Sequence, residues 1–154
     1  MMDRLMKRLI GFAVLMSAAT LVYAHGQEGS LGKATTTAAA TDVYTVNCFD
    51  DGEGAGVPSK LFVHVKDRAP KLASLVSVQI VKSGLASALS VDAVDGDAGY
   101  SPAVMLAGGA GNYTVLVNRQ LSAAKGIEYY SLEYHCENAK GIHAGTEISM
   151  SQNQ

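Results

Sequence analysis

The chain of 154 residues contains no tryptophan, only three prolines and only two cysteines. Two cysteines are too few for a structural zinc cluster, and they lie too far apart for a Cys-x-x-Cys redox pair. The lack of tryptophan argues against an antibody-type immunoglobulin domain, in which a buried tryptophan packs on the disulfide. No signature of a serine hydrolase, zinc protease, phosphate-binding loop or dinucleotide-binding fold is present. We therefore expect a protein that is not an enzyme.

The first 24 residues are typical of a secretory signal peptide. Arg4, Lys7 and Arg8 precede an apolar run that begins at Leu9, and Val22-Tyr23-Ala24 forms a small-x-small cleavage site. A membrane anchor is the alternative, but the apolar run is shorter than the roughly 20 residues that a spanning helix needs. We expect cleavage after Ala24, a secreted or periplasmic protein and no membrane span after cleavage.

Removal of residues 1–24 takes away one of the 14 acidic and three of the 12 basic side chains, which leaves a net charge of about −4. This charge is mild and scattered along the chain, so it does not favour a nucleic acid as partner. The remaining length suits one domain with one hydrophobic core.

Both cysteines, Cys48 and Cys136, lie after the predicted cleavage site. An even number of cysteines in an oxidising compartment favours a disulfide. Neither cysteine has a neighbouring lysine or arginine that would make its thiolate reactive. We predict one structural disulfide between them.

The predicted mature chain divides into two parts. Residues 25–41 consist mainly of glycine, serine, threonine and alanine, with little apolar surface to bury. This composition predicts a flexible N-terminal tail. Residues 42–154 carry the pattern of a folded β-domain.

Apolar residues alternate with polar ones through most of residues 42–154, and turns rich in glycine, asparagine and aspartate separate the alternating segments. About seven to eight short strands are expected, and they must stack or close to bury their apolar faces. The predicted fold is an all-β, single antiparallel β-sandwich, immunoglobulin-like or jelly-roll-like. The expected inward-facing positions are Tyr44, Val46 and Cys48; Leu61, Val63 and Val65; Val76, Val78 and Ile80; Leu89 and Val91; Tyr113, Val115 and Val117; Tyr130, Leu132, Tyr134 and Cys136; Ile148 and Met150.

Two short patterns resemble known modules. Tyr134 precedes Cys136 by two residues, which resembles the tyrosine-corner position of immunoglobulin-like sandwiches. The segments Gly111-Asn112-Tyr113-Thr114-Val115 and Tyr129-Tyr130-Ser131-Leu132 look like strands of bacterial pre-peptidase C-terminal modules, small sandwiches attached to secreted enzymes. The resemblance covers residues 42–137 and implies a binding or accessory role.

Cleavage after Ala24 would make His25 the first residue of the mature chain. A terminal histidine offers its amine and its ring to one copper ion, an arrangement that resembles copper-binding sandwiches and polysaccharide-oxidising enzymes. His64, His135 or His143 could supply a further ligand, but their positions in the strand pattern are those of surface histidines. The sequence predicts weak copper binding by the tail alone, without redox activity.

A turn that contains Asp92, Asp95 and Asp97 is the candidate calcium site, because Ca²⁺ prefers several carboxylate oxygens. The spacing is not that of an EF-hand loop, and aspartate and glycine are also ordinary turn residues. From the sequence we expect little or no effect of calcium on stability.

Three functions remain open at this stage. A secreted or periplasmic non-catalytic binding or adhesion module, with a protein or carbohydrate ligand, is favoured by the fold class. A metal-handling protein is the second hypothesis, with copper or calcium as the bound ion. The third is a fibre or pilus subunit, in which residues 34–48 of one copy add to the sheet of another by self-assembly.

Overall fold

The computed structural model describes residues 25–72, 74–121 and 123–154, so the predicted signal peptide at residues 1–24 lies outside the described residues. Ten strands run through them: β1 (His25–Leu31), β2 (Ala40–Phe49), β3 (Lys60–Arg68), β4 (Val76–Lys82), β5 (Leu85–Ala86), β6 (Ser90–Val91), β7 (Val104–Leu106), β8 (Gly111–Arg119), β9 (Glu128–Glu137) and β10 (His143–Gln152). No helix able to cross a membrane occurs in these ranges.

The strands form one antiparallel sheet in the order β5-β4-β8-β2-β10-β9-β3-β7, with β1 paired to β9 and β6 paired to β4. Strands β4 and β7, near opposite ends of this order, lie against each other, so the sheet is nearly closed into a barrel. The predicted all-β antiparallel class is confirmed. The sheet is continuous and has ten strands instead of about seven to eight, because β1 has few apolar residues and the short strands β5 and β7 carry too few residues to show an alternating pattern.

The alternating residues build the interior as expected. In β2 and β3 every second side chain is buried, and β8 and β9 follow the same period, because successive side chains of a strand point to opposite faces. The exceptions lie at the edges of the pattern: Leu89 and Met150 are exposed, and in the two-residue strand β6 Ser90 is buried while Val91, predicted to face inward, is only half-buried.

Residues 25–31 differ from the predicted flexible tail. They form β1, which pairs with β9 over seven positions from His25↔Tyr134 to Leu31↔Glu128. Backbone hydrogen bonding needs no apolar side chains, so the composition of this segment did not reveal the strand. Leu31, at its end, is fully buried and anchors it in the core.

Strand β10 changes partner along its length. His143 and Ala144 pair with Glu137 and Cys136 on β9, and from Gly145 onward β10 pairs with β2. A side chain at position 145 would meet the ring of Phe49 at 2.6 Å, which explains the glycine at this crossing. β1 continues along the edge of β9 that β10 leaves.

The disulfide joins the two strands between which β10 crosses. Cys48 on β2 and Cys136 on β9 are bonded, with Cα atoms 5.6 Å apart and a sequence separation of 88. Both cysteines are buried, as the alternation predicted. Such a bond is typical of an oxidising compartment outside the cytoplasm.

We expect replacement of both cysteines by alanine to lower the free energy of unfolding by about 2–5 kcal/mol, because the crosslink restricts a long loop of the unfolded chain. Urea denaturation of the two proteins measures the difference. Detection of two free thiols after alkylation of the unfolded, unreduced protein would contradict the assignment.

Candidate functional site

Three potential metal ligands lie at the turn between β9 and β10. Ligand atoms of His135, Glu137 and His143 all lie within 4.8 Å of one another. Residues 135 and 137 share the outer face of β9, and His143 is the register partner of Glu137 on β10. We call these three residues the histidine cluster.

The turn sets the register that brings the cluster together. The Asn138 amide donates to the carbonyl of Ile142 at 2.9 Å, and the Asn138 side-chain oxygen accepts from the amides of Lys140 and Ile142. Gly141 adopts a positive φ of 77°, a conformation that favours glycine. This closure places the His135 and His143 rings in a stack with centroids 3.9 Å apart.

The polar atoms of the cluster are only partly satisfied. His135 Nε2 lies 2.8 Å from Glu137 Oε1, and Lys60 Nζ lies 2.9 Å from Glu137 Oε2. His135 is only 8% exposed, and its Nδ1 atom is buried without a hydrogen-bond partner. A buried ring nitrogen without a partner is costly. The other ring nitrogen, Nε2, faces Glu137 and is the His135 atom placed to bind an ion, so Nδ1 does not itself mark the ligand position.

The electrostatics favour neutral rings and a charged carboxylate. Burial lowers the pKa of His135 and of His143, and nearby histidines lower both further. For Glu137 burial acts to raise the pKa, but hydrogen bonds from Lys60 and His135 outweigh it, and the pKa is lowered. Metal ions bind deprotonated ligands, so near neutral pH we expect protons to compete little with a metal ion for these three side chains.

His25 lies beside the histidine cluster without joining it. Along one edge of β9, His25 pairs with Tyr134 and Ala144 pairs with Cys136. The end of β1 and the start of β10 are therefore separated by a single β9 residue, His135. The exposed His25 ring stacks on Tyr134 at 5.8 Å. Burial is the largest cause of the lowered pKa of His135 and of His143. The nearby charge of His25 lowers both pKa values further.

His64 is held elsewhere on the same face. Its Nε2 lies 2.5 Å from Glu133 Oε2, and its ring stacks on Tyr100 at 4.1 Å. Phe62 lies between His64 and His135, with a centroid 4.4 Å from the His135 ring. Hydrogen bonding and stacking therefore keep His64 out of the cluster.

The predicted calcium residues separate in the structure. Asp95 joins Asp67 and Glu128 in a group whose ligand oxygens lie within 4.8 Å of one another, which we call the acidic cluster. The buried Asp92 borders the group, since its Oδ2 accepts from the Asp67 amide at 2.7 Å. Asp97 is exposed and accepts only from the Gly99 amide of its own turn.

The sequence analysis did not identify Asp67 and Glu128 as site residues. Both are charged residues at inward-facing positions of an alternating pattern, Asp67 in β3 and Glu128 in β9. Both are fully buried. A carboxylate on the apolar side of a strand was the available signal, since buried charges are rare without a partner.

The acidic cluster predicts an unusual pH dependence. Burial, the charges of Glu128 and Asp95, a hydrogen bond with Glu128 and the charge of Asp92 raise the pKa of Asp67 from 3.8 to about 8. Between these values the folded state binds more protons than the unfolded state, so stability is lost as the pH rises.

In the presence of a chelator, we therefore expect the free energy of unfolding to fall between about pH 4 and pH 8. Asp67→Asn removes the titrating group and should flatten this part of the profile, whereas Asp97→Asn should leave it unchanged. Urea denaturation at a series of pH values measures it. An equally steep profile in Asp67→Asn would contradict the assignment.

Comparison with protein-family models, curated proteins and solved structures gives no match for this chain. The resemblance to pre-peptidase C-terminal and immunoglobulin-like modules therefore stays a prediction. The chemistry of the two clusters is therefore the remaining guide to function.

Proposed function

We propose that this chain is an exported, non-catalytic metal-binding protein whose histidine cluster binds one Cu(II) ion. The observation that carries the proposal is the convergence of His135, Glu137 and His143, with ligand atoms within 4.8 Å of one another. These residues come from the end of one strand and the start of the next, and a hydrogen-bonded turn holds them in register.

The separations suit a metal ion after a small adjustment. Two ligands at right angles, each about 2.0–2.1 Å from a metal, lie about 3 Å apart. His135 Nε2 and Glu137 Oε1 are already 2.8 Å apart. His143 is half-buried, and its ring would have to turn out of the stack on His135 to bind at the same point.

The ligand types favour copper among the common divalent ions. Imidazole nitrogens bind Zn, Cu, Ni and Fe, and for a given set of nitrogen and oxygen ligands the affinity is highest for Cu²⁺. Where the geometry of the site allows several of these ions, this intrinsic order favours Cu²⁺. His25 lies next along the edge of β9, with its ring stacked on the inward-facing Tyr134, on the opposite face from His135. Cleavage after Ala24 would free the amine of His25, which is then the group of this residue that could reach the same ion.

The position of His25 changes the expected binding mode. The sequence predicted weak binding by a flexible tail, whose ordering would oppose the closure of a larger site. In the structure, β1 is paired to β9, so this ordering cost is largely met by folding. We propose that His25 supports the ion held by the histidine cluster instead of binding it alone.

A second candidate is the binding module for a protein or carbohydrate ligand. One observation favours it: a row of rings crosses the outer face of β3, β9 and β10, in the order Tyr100, His64, Phe62, His135 and His143. Half-exposed aromatic rings offer contact area to a flat ligand.

The fibre-subunit hypothesis gains no support. Residues 40–48 belong to β2, which already pairs with β8 on one side and β10 on the other. Addition of this strand to another copy would break both ladders.

Copper titration of the mature protein tests the proposal. We expect one Cu(II) per chain, and His135→Ala or His143→Ala should lower the affinity at least about tenfold, because each removes an imidazole ligand. His64→Ala is the matched control on the same face and should retain the affinity. An added alanine before His25 should cause a smaller loss than His135→Ala.

Full retention of copper affinity in both His135→Ala and His143→Ala would refute the histidine cluster as the site. A loss confined to the N-terminal extension would restore the tail-only binding that the sequence predicted. Near-ultraviolet circular dichroism checks that each variant is folded.

A further inference from the structure

A second group of ligands lies at the other end of β9 from the disulfide. Asp67 stands near the end of β3, Glu128 begins β9, and Asp95 lies in the loop between β6 and β7. Their carboxylate oxygens lie within 4.8 Å of one another, although the residues are far apart in sequence. The loop that carries Asp95 is the outermost part of this acidic cluster.

Asp67 is the central member. It is fully buried, and when it is ionised neither of its side-chain oxygens receives a hydrogen bond. A hydrogen bond with Glu128 requires a proton on one of the two groups. Glu128 is also fully buried, with Oε1 accepting from the Ser74 hydroxyl at 2.5 Å and Oε2 lacking a partner. When both groups are ionised, three buried acceptor atoms therefore lie among carboxylates without a hydrogen-bond donor. This arrangement is costly in the absence of a cation or a proton.

Arg119 neutralises this group only in part, since its charge acts to lower the pKa of Glu128. It is buried beside the cluster, but its NH1 donates to the carbonyls of Gly126 and Leu31 and its NH2 donates to the carbonyl of Ala124. The single positive charge of the guanidinium is also too small to balance the three carboxylates of the cluster, which Asp92 borders.

We propose that Asp67, Asp95 and Glu128 bind a calcium ion. Ca²⁺ accepts six to eight oxygens at about 2.3–2.6 Å, so opposite ligands lie about 5 Å apart, a distance that spans this cluster. The ion would accept the unpaired oxygens of Asp67 and Glu128 as ligands. It would also connect the loop that carries Asp95 to the end of β3 and the start of β9.

Calcium fits this site better than the other common cations. Mg²⁺ keeps several of its waters and requires a nearly ideal octahedron, which suits a carboxylate cluster buried in a barrel less well. The cluster has oxygen ligands alone, and copper prefers the nitrogen ligands of the histidine cluster. The two sites are therefore chemically distinct.

Asp67 and Glu128 also lie close enough to share a proton. This shared proton is the competing explanation for the buried carboxyl groups. The two explanations differ in one respect, since only the calcium site makes stability depend on the ion.

Thermal unfolding of the disulfide-bonded protein at about pH 8, with a chelator or with about 5 mM CaCl₂, tests the proposal. We expect calcium to raise Tm by about 5 °C or more, because a ligand that binds only the folded state stabilises it. The rise should be lost in Asp67→Asn and kept in Asp97→Asn, the exposed control. Asp67→Asn preserves the side-chain shape and removes charge repulsion, so it should fold.

A direct readout uses Tb³⁺, a luminescent substitute for Ca²⁺. Tyr130 is the register partner of Asp67 on the neighbouring strand, so bound Tb³⁺ should show tyrosine-sensitised emission that excess Ca²⁺ removes. MgCl₂ at the same concentration should raise Tm much less. His135→Ala should keep the calcium effect, which separates this site from the copper proposal.

The absence of any calcium-dependent shift in the folded wild-type protein would overturn the proposal and assign the cluster to the shared proton. A shift that survives in Asp67→Asn but disappears in Asp97→Asn would also overturn it, because the ion would then bind the exposed turn.

Discussion

The crossing of β10 from β9 to β2 is the constraint on which the described structure depends. It joins the strands on either side into one sheet, and the Cys48–Cys136 bond ties together the two strands that flank it. Gly145 permits the close approach to Phe49 at the crossing. Because β10 leaves β9 after Ala144, the remaining edge of β9 is free to pair with β1. One local change of partner thus places both His143 and His25 beside His135.

The two clusters show how a small barrel places chemistry at its ends. The middle of β9 is apolar on its inner face, with Tyr130, Leu132 and Tyr134 in the core. Its first residue, Glu128, belongs to the acidic cluster, and its last, Glu137, belongs to the histidine cluster. Oxygen ligands at one end and imidazole ligands at the other favour cations of different hardness, so the two proposals concern independent sites.

The buried polar groups differ in whether they have hydrogen-bond partners. The Tyr130 hydroxyl donates to Asp42 at 2.6 Å and lies 2.5 Å from the Tyr44 hydroxyl, so these groups satisfy one another and need no ligand. Asp67 and the Nδ1 atom of His135 are buried without such partners. Buried polar atoms are normally satisfied, so the exceptions are the informative ones. This difference directs attention to the two clusters and away from the equally buried tyrosines.

The sequence by itself determined the strand class, the inward faces of the long strands and the disulfide, because these follow from a two-residue period and from an even number of cysteines. It could not determine the strand order or the hairpin registers. A register shift of one residue moves every side chain to the opposite face, and the face on which His143 lies depended on the turn at Asn138–Gly141.

The pairing of β1 uses backbone groups that every residue shares, so composition suggested a flexible tail instead. Asp67, Asp95 and Glu128 meet only because β3 and β9 are neighbours, and tertiary structure alone decided that contact.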